Sequence, residues 1–470
     1  MTFRLKNDSQ FLYTILFTLV LVSCSGNDDL PSNDDDVTGE EEPIVEIPLE
    51  DRLPQVVVNT NGGTIVDEPK IPSDATIIVA NDTLYSGNMG IEFRGATSQT
   101  LFPKKSYGLE TWDENNEDIN VSLLGLPEEE DWILYGPYSD KSLIRNILIY
   151  DLSRDIGRYA SRSLFVDLTL NGNYQGVYVF MEKLKRDGER IDINKLKEDE
   201  NEGEDVTGGY ILKIDKTAGN NLGEGYNELN SFVSDYPPPN AFGGQETYFL
   251  YEYPDAEDIT AAQKTYISEY MGAFEDALIS DDFRDPVLGY EAYIDVPSFI
   301  DFFLLNELAN NVDGYRLSTF MHKDKNEKLK MGPIWDFNLA FGNADYCGGG
   351  SPQVWAYKFN ERCPQDIWLV PFWWDRFMQD PDFVEQLKAR WATLRGSTFS
   401  NGAIEARIGN YLETLEQSGA KDINFQVWPV IGSYVWPNNF VGTSYGEELA
   451  YLQNWITMRL DWLDTSISQL

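Results

Sequence analysis

Two aspartates carry the sharpest chemical signal in this sequence. They lie in the stretch from Asn306 to Asn343, NELANNVDGYRLSTFMHKDKNEKLKMGPIWDFNLAFGN. It reads as the end of an apolar helix, a turn carrying Asp313, and two short strands around a KDKNEK hairpin. The second strand delivers Asp336 within Trp335-Asp336-Phe337-Asn338. Apolar neighbours fix each carboxylate at an edge of the hairpin. Phosphoryl transfer needs this layout, with one carboxylate beside the attacking hydroxyl and another on the metal that neutralises the phosphates. The plain alternative makes Asp313 a turn former and Asp336 a capping residue.

A cation for the phosphates is the next requirement. In Phe102-Pro103-Lys104-Lys105-Ser106-Tyr107, strand alternation sets Lys105, Tyr107 and Leu109 on one face. With Tyr107 and Leu109 packed inward, Lys105 enters whatever cleft that face borders. Its ammonium there suits phosphate oxygens as a point charge. A lysine pair that deters edge-to-edge strand pairing is the competing reading.

The elements that must position these groups are legible in outline. Residues 53–113 alternate in short runs (QVVVNT, ATIIVAND, GIEFRGAT, KKSYGLETW) punctuated by Gly-Gly and Asn-Asp, the pattern of a β-meander. SLIRNILIYDLSRDIG predicts an amphipathic helix with Asp140 as its cap and Gly157 as its stop. Arg145 and Asn146 sit near its apolar stripe, in position to face a ligand. Two strands joined through Asn171-Gly172 form a hairpin, and the second ends at Glu182-Lys183, where the chain crosses onward. Residues 195–260 read as an insertion with little chemistry. From Ala261 helices dominate, and nine of the twelve tryptophans fall between Trp355 and Trp462. Their spacing suits a helical core, although exposed tryptophans also stack on sugars.

With 36 basic against 78 acidic residues, the chain of 470 carries a formal charge of -42. Such a surface repels polyphosphate backbones, which sets nucleic acid aside as a partner, and it attracts divalent cations. There is no Gly-Lys-Ser phosphate loop, no GxGxxG and no internal repeat. Hydrophobic residues make up 42% of the chain, ample for a large core.

Residues 1–24 have the form of a lipoprotein signal peptide. Arg4 and Lys6 precede the apolar run FLYTILFTLVLV, too short to span a bilayer, which ends in Leu21-Val22-Ser23-Cys24. That ending resembles a bacterial lipobox, which implies a lipid on Cys24. Residues 25–52 are an acidic linker whose charges repel and extend it. They resemble a surface-export signal and serve equally as a spacer. The expected location is the bacterial cell envelope, anchored by lipid, at the outer membrane and surface-exposed. Cys347 and Cys363 flank a GGGSPQ loop, and in an exported chain a bridge between them is expected. Two cysteines and the lone His322 make a poor zinc set.

Four separated motifs, in order, resemble the spore coat protein H (CotH) kinase-like family: RGATSQTLFPKKSYGLE, LLGLPEEEDWILYGPYSDKSLIRN, NGNYQGVYVFMEKLKRD and NVDGYRLSTF…KMGPIWDFNLAFGN. The resemblance spans roughly residues 53–465. It implies an α+β, divergent bilobal protein-kinase-like fold: a β-rich N-terminal lobe with one helix (53–194), an insertion and lobe connection (195–260), and a helical C-terminal lobe (261–470) bearing the catalytic hairpin. It also implies transfer of phosphate from ATP to a protein serine with Mg²⁺. Carried over by position, Asp336 is the metal-binding aspartate and Asp313 the base or second metal ligand. Ser318 stands where a kinase's second-metal asparagine falls, so Asn338 or Asn343 takes that role. Lys105, or else Lys104, holds phosphates. Arg94 is a phosphate contact and Glu182 marks the lobe junction. The competing reading is a non-catalytic surface module that binds glycan or protein.

Overall fold

The strands of the first third of the chain close on themselves. In the computed structural model, which describes residues 48–217 and 225–470, β1 (Gln55–Asn59), β2 (Ile71–Val79), β3 (Asp82–Arg94), β4 (Ser106–Trp112), β5 (Asp131–Tyr135), β6 (Ser163–Leu170) and β7 (Asn173–Glu182) form a closed barrel in the order β1-β2-β3-β4-β5-β7-β6. Neighbours pair antiparallel except at the seam, where β1 runs parallel to β6 with Gln55 opposite Asp167. Period-two alternation turns Val56, Val58, Ile77, Met89, Ile91, Leu109, Trp132, Leu168 and Phe180 into the barrel interior.

A second sheet has the order β12-β11-β8-β10-β9, built from β8 (Tyr210–Ile214), β9 (Ser231–Val233), β10 (Tyr248–Tyr253), β11 (Thr319–Lys323) and β12 (Leu329–Met331). The architecture is α+β. It corrects the expected bilobal kinase-like arrangement, because the β-rich part is a closed seven-stranded barrel and a separate five-stranded sheet accompanies the helices. Alternation announces strands but not closure, which depends on a parallel pairing between residues more than a hundred positions apart.

The helices are α1 (Thr97–Leu101), α2 (Arg145–Asp155), α3 (Ala261–Ile279), α4 (Val296–Ala309), α5 (Phe359–Arg362), α6 (Trp373–Phe377), α7 (Pro381–Arg395), α8 (Asn401–Gln417), α9 (Ala420–Val427) and α10 (Tyr445–Ser468). α4 is the central one, buried at every position except Pro297. It therefore shows no polar face, as befits a helix enclosed on all sides. Asp295 caps its start by accepting the Ser298 N–H, and Asn310 ends it in the left-handed conformation at φ 43°. Glu307, on its last turn, lies 3.0 Å from Arg459 of α10, both side chains fully buried. α2 starts at Arg145 rather than beside Asp140, whose carboxylate instead accepts the N–H groups of Ser142 and Arg145. Trp373, Trp374, Trp391 and Trp455 are core residues. Cys347 and Cys363 are disulfide-bonded. Cys24 and the acidic stretch up to residue 47 lie outside the described residues. Among the described residues no helix is long and apolar enough to cross a membrane.

Candidate functional site

A cleft of about 1350 Å³ opens between the barrel, the second sheet and the turns after α4 and β12. Its walls carry eleven Asp and Glu side chains against five Lys and Arg. Asp313, Asp336, Asn338 and Arg94 all line it.

Asp336 owes its position to α2. It sits at φ 59°, a strained conformation for a residue with a side chain. Its N–H donates to the Tyr150 hydroxyl at 3.1 Å, and the next N–H, of Phe337, donates to Asn146 Oδ1 at 2.8 Å. The Tyr150 ring stacks on Trp335, with centroids 5.9 Å apart. Buried Arg145 binds both Asp140 and the Ala340 carbonyl, closing the same turn from its far side. This largely buried helix thus sends three contacts, from Arg145, Asn146 and Tyr150, into one loop. Burial pushes the Asp336 carboxyl up to about 7, helped by the charges of Asp313 and Asp215, while Lys216 and Arg94 pull against it.

Asp313 follows α4 on a turn whose Asn311 side chain accepts the Asp313 N–H. Its Oδ1 accepts from Arg316 Nη2 at 2.7 Å and from the Tyr346 hydroxyl at 3.2 Å. Arg316 is itself buried and held by the Val312 and Trp368 carbonyls. Among the described residues Oδ2 of Asp313 has no hydrogen-bond partner, which leaves it free for a ligand.

Three cleft residues were not singled out from sequence: Lys213, Asp215 and Lys216, at the end of β8. Burial raises the Asp215 carboxyl and Lys213 opposes this; the Ser318 hydroxyl donates to Asp215 at 3.4 Å. Lys213 pairs with Glu252 at 2.7 Å. The signal was there in GYILKIDK, where charges at 213 and 215 share one face of an otherwise apolar strand. In the sequence alone this run reads as an ordinary strand inside an insertion.

The remaining candidates lie elsewhere. Lys105 donates its ammonium to the carbonyls of Gln99 and Phe102, at the end of α1. Lys104 is buried and donates to the Val177 carbonyl at 2.6 Å and to Asn424 Oδ1 at 2.8 Å, joining the barrel to α9; burial pushes its ammonium well below the usual lysine range. Glu182 is buried against Arg162 and Tyr159. None of these three lines the cleft. Arg94 does, with its guanidinium 5.9 Å from the Trp335 ring centroid. Asn343 is engaged within the fold, donating to the Asn338 and Ser139 carbonyls and accepting from Asn438.

The donor set facing the cleft (Asp336, Asp313, Asp215 and the Asn338 amide) consists of hard oxygen groups, which fit Mg²⁺. The repulsion from Asp313 and Asp215, which adds to burial in raising Asp336, is what a divalent cation relieves. Among the described residues a tighter carboxylate trio exists in Glu129, Glu130 and Asp131, but the Lys185 ammonium already occupies it at 2.6, 2.6 and 3.0 Å.

An α+β chain with an acidic, lysine-flanked cleft and a strained aspartate at its floor has the parts of a phosphate-handling protein. A family model described as CotH kinase protein matches residues 91–463, and the chain belongs to that family. Membership supports a kinase-like function. No curated protein matches the chain.

Proposed function

We propose that this protein is a metal-dependent phosphotransferase that moves the terminal phosphoryl group of ATP to an acceptor hydroxyl, a protein serine being the acceptor the family implies. The observation that carries this reading is Asp336, locked in a left-handed conformation by Tyr150 and facing Asp313 across an acidic cleft. Mg²⁺ would be held by Asp336 with Asp215 or Asn338, and would supply charge neutralisation at the transferring phosphate. The side chains do the rest. Ile133, Met181 and Leu250 offer an apolar seat for the base, while Arg94 and Lys216 offer positive charge to the phosphates. Asp313 Oδ2 accepts the proton of the attacking hydroxyl as its oxygen bonds to phosphorus and the bond to the ADP oxygen breaks. Arg316 and Tyr346 on Oδ1 hold the carboxylate in orientation. The chain is exported and anchored at the outer membrane through lipid on Cys24 in this reading.

The test is a calorimetric titration of soluble protein, lacking residues 1–24, with ATP in Mg²⁺ and in EDTA, beside radiolabel transfer from ATP. Mg²⁺-dependent binding and transfer, both lost in Asp336→Asn, are expected. Failure of the wild-type protein to bind ATP overturns the assignment.

A further inference from the structure

Next to Asp313 the cleft has a wall that phosphate handling uses only in part: Tyr346 steadies Asp313 and Asn338 is a metal-ligand candidate, but Trp436 and Ser139 have no part in it. Tyr346, whose hydroxyl binds Asp313, stacks in parallel on Trp436, with centroids 6.2 Å apart and planes 6° from parallel. Both rings line the cleft, and Trp436 remains 42% exposed. An exposed indole contributes little to a core, yet this one is rigidly held. Asp345 N–H donates to the Pro437 carbonyl, Asn439 N–H to the Asn343 carbonyl, and Val435 N–H to Asn438 Oδ1. The Asn438 amide in turn donates to the Ser139 carbonyl at 2.7 Å.

A second observation on the same wall points to a ligand. Ser139 lines the cleft and is 1% exposed, and its hydroxyl oxygen has no hydrogen-bond partner. Leaving a buried hydroxyl unpaired costs about 1–3 kcal/mol, so such a group marks a place where a partner arrives. The side-chain amide of Asn338, also on the cleft, makes no hydrogen bond among the described residues.

We infer that this wall is a carbohydrate subsite: a neutral hexose ring lies on Trp436, with its hydroxyls on Ser139 and Asn338. A sugar presents an apolar C–H face and a rim of hydroxyls, the complement of a ring platform edged by an uncommitted hydroxyl and amide. An extended peptide needs a run of free backbone partners, and here the N–H groups of Val435, Asn438 and Asn439 and the carbonyls of Val435 and Pro437 are already bound within the chain, which leaves no such run. The wall contributes no Lys or Arg to the cleft, so an anionic ligand finds no match on it. The inference rests on the phosphotransfer reading for its meaning, since it makes the acceptor a glycosylated protein whose sugar docks beside the target hydroxyl.

Tryptophan fluorescence and calorimetric titrations with chitotriose and with α-mannotriose test this on the protein lacking residues 1–24. Mg-ATP binding is measured on the same wild-type preparation. At least one sugar is expected to bind, with affinity falling about tenfold or more in Trp436→Ala and severalfold in Ser139→Ala, while Trp436→Phe retains part of it. Absence of sugar binding overturns the inference, as does binding that Trp436→Ala leaves unchanged. Binding of a serine peptide that depends on Trp436, with no sugar binding, assigns the wall to peptide and equally overturns it. Trp436-dependent sugar binding without Mg-ATP binding upholds the subsite and removes the phosphotransfer reading instead.

Discussion

The hydroxyl of Tyr150 accepts the backbone N–H of Asp336 at 3.1 Å, tying α2 to the cleft floor across 186 residues of sequence. This one bond offsets part of the cost of the left-handed conformation at Asp336 and decides where its carboxylate stands. Tyr150→Phe keeps the ring on Trp335 but leaves a buried amide unpaired, at about 1–3 kcal/mol. The expected result is a fall in kcat of about 10–100-fold with a smaller change in the KM for ATP. Steady-state kinetics check this, and an unchanged kcat would remove Tyr150 from any positioning role.

Lys216 and Lys105 make opposite predictions. Lys216 lines the cleft and its charge acts on Asp336, whereas Lys105 is spent on the carbonyls of α1. Lys216→Met is expected to weaken Mg-ATP binding about tenfold, the loss of one charge-assisted contact. Lys105→Met should leave it within about twofold. Calorimetry on the two variants decides which lysine serves the phosphates.

Glu275 sets a pH dependence of stability. Burial pushes its carboxyl up to about 7, with the Ser234 hydroxyl and the Trp373 indole N–H donating to it. In the unfolded chain the same group titrates near its ordinary value of 4.5. Between those values the unfolded state gives up its proton while the folded state keeps it, so stability falls as pH rises from about 4.5 to 7. The loss amounts to about 3 kcal/mol. Glu275→Gln keeps the shape and removes the titration, so the gap between variant and wild type in urea midpoint should widen in favour of the variant over that range. A pH-independent gap would contradict the assignment.

The Cys347–Cys363 bond joins residues 16 positions apart, beside Tyr346. Its removal is expected to cost about 3 kcal/mol through the unfolded chain. Asn310 reinforces the loop, its amide donating to the carbonyls of Gly348, Gly349 and Ser351. The double Cys→Ser variant should therefore unfold at lower urea yet remain folded at 25 °C, as read by circular dichroism.

Arg459 and Glu307 form the buried joint between α10 and α4. Glu307 also accepts the N–H groups of Ala356 and Tyr357 and the Tyr315 hydroxyl. Arg459→Met strands that carboxylate in the core, at about 3–5 kcal/mol. Glu307→Gln combined with Arg459→Met should recover part of the loss. A double variant no more stable than Arg459→Met alone would show that packing, rather than charge, dominates the joint.

What the sequence determined by itself was local. Alternation located the barrel strands except β5, whose run Asp131–Tyr135 is too apolar to alternate, while Asn171-Gly172 marked the β6–β7 hairpin and Gly157 the end of α2, where it takes φ 89°. Asp313 and Asp336 stood out because each sits at an edge of one hairpin with apolar neighbours, and both line the cleft. Tertiary structure alone decided the rest. Barrel closure rests on β1 meeting β6, and the second sheet on β8 meeting the β11–β12 hairpin. Those pairings carried Asp215 and Lys216 to the cleft, while Lys105 found two nearby carbonyls and turned to them. A side chain's neighbours depend on which distant backbone lies within a few ångströms, and no period in the chain encodes that distance.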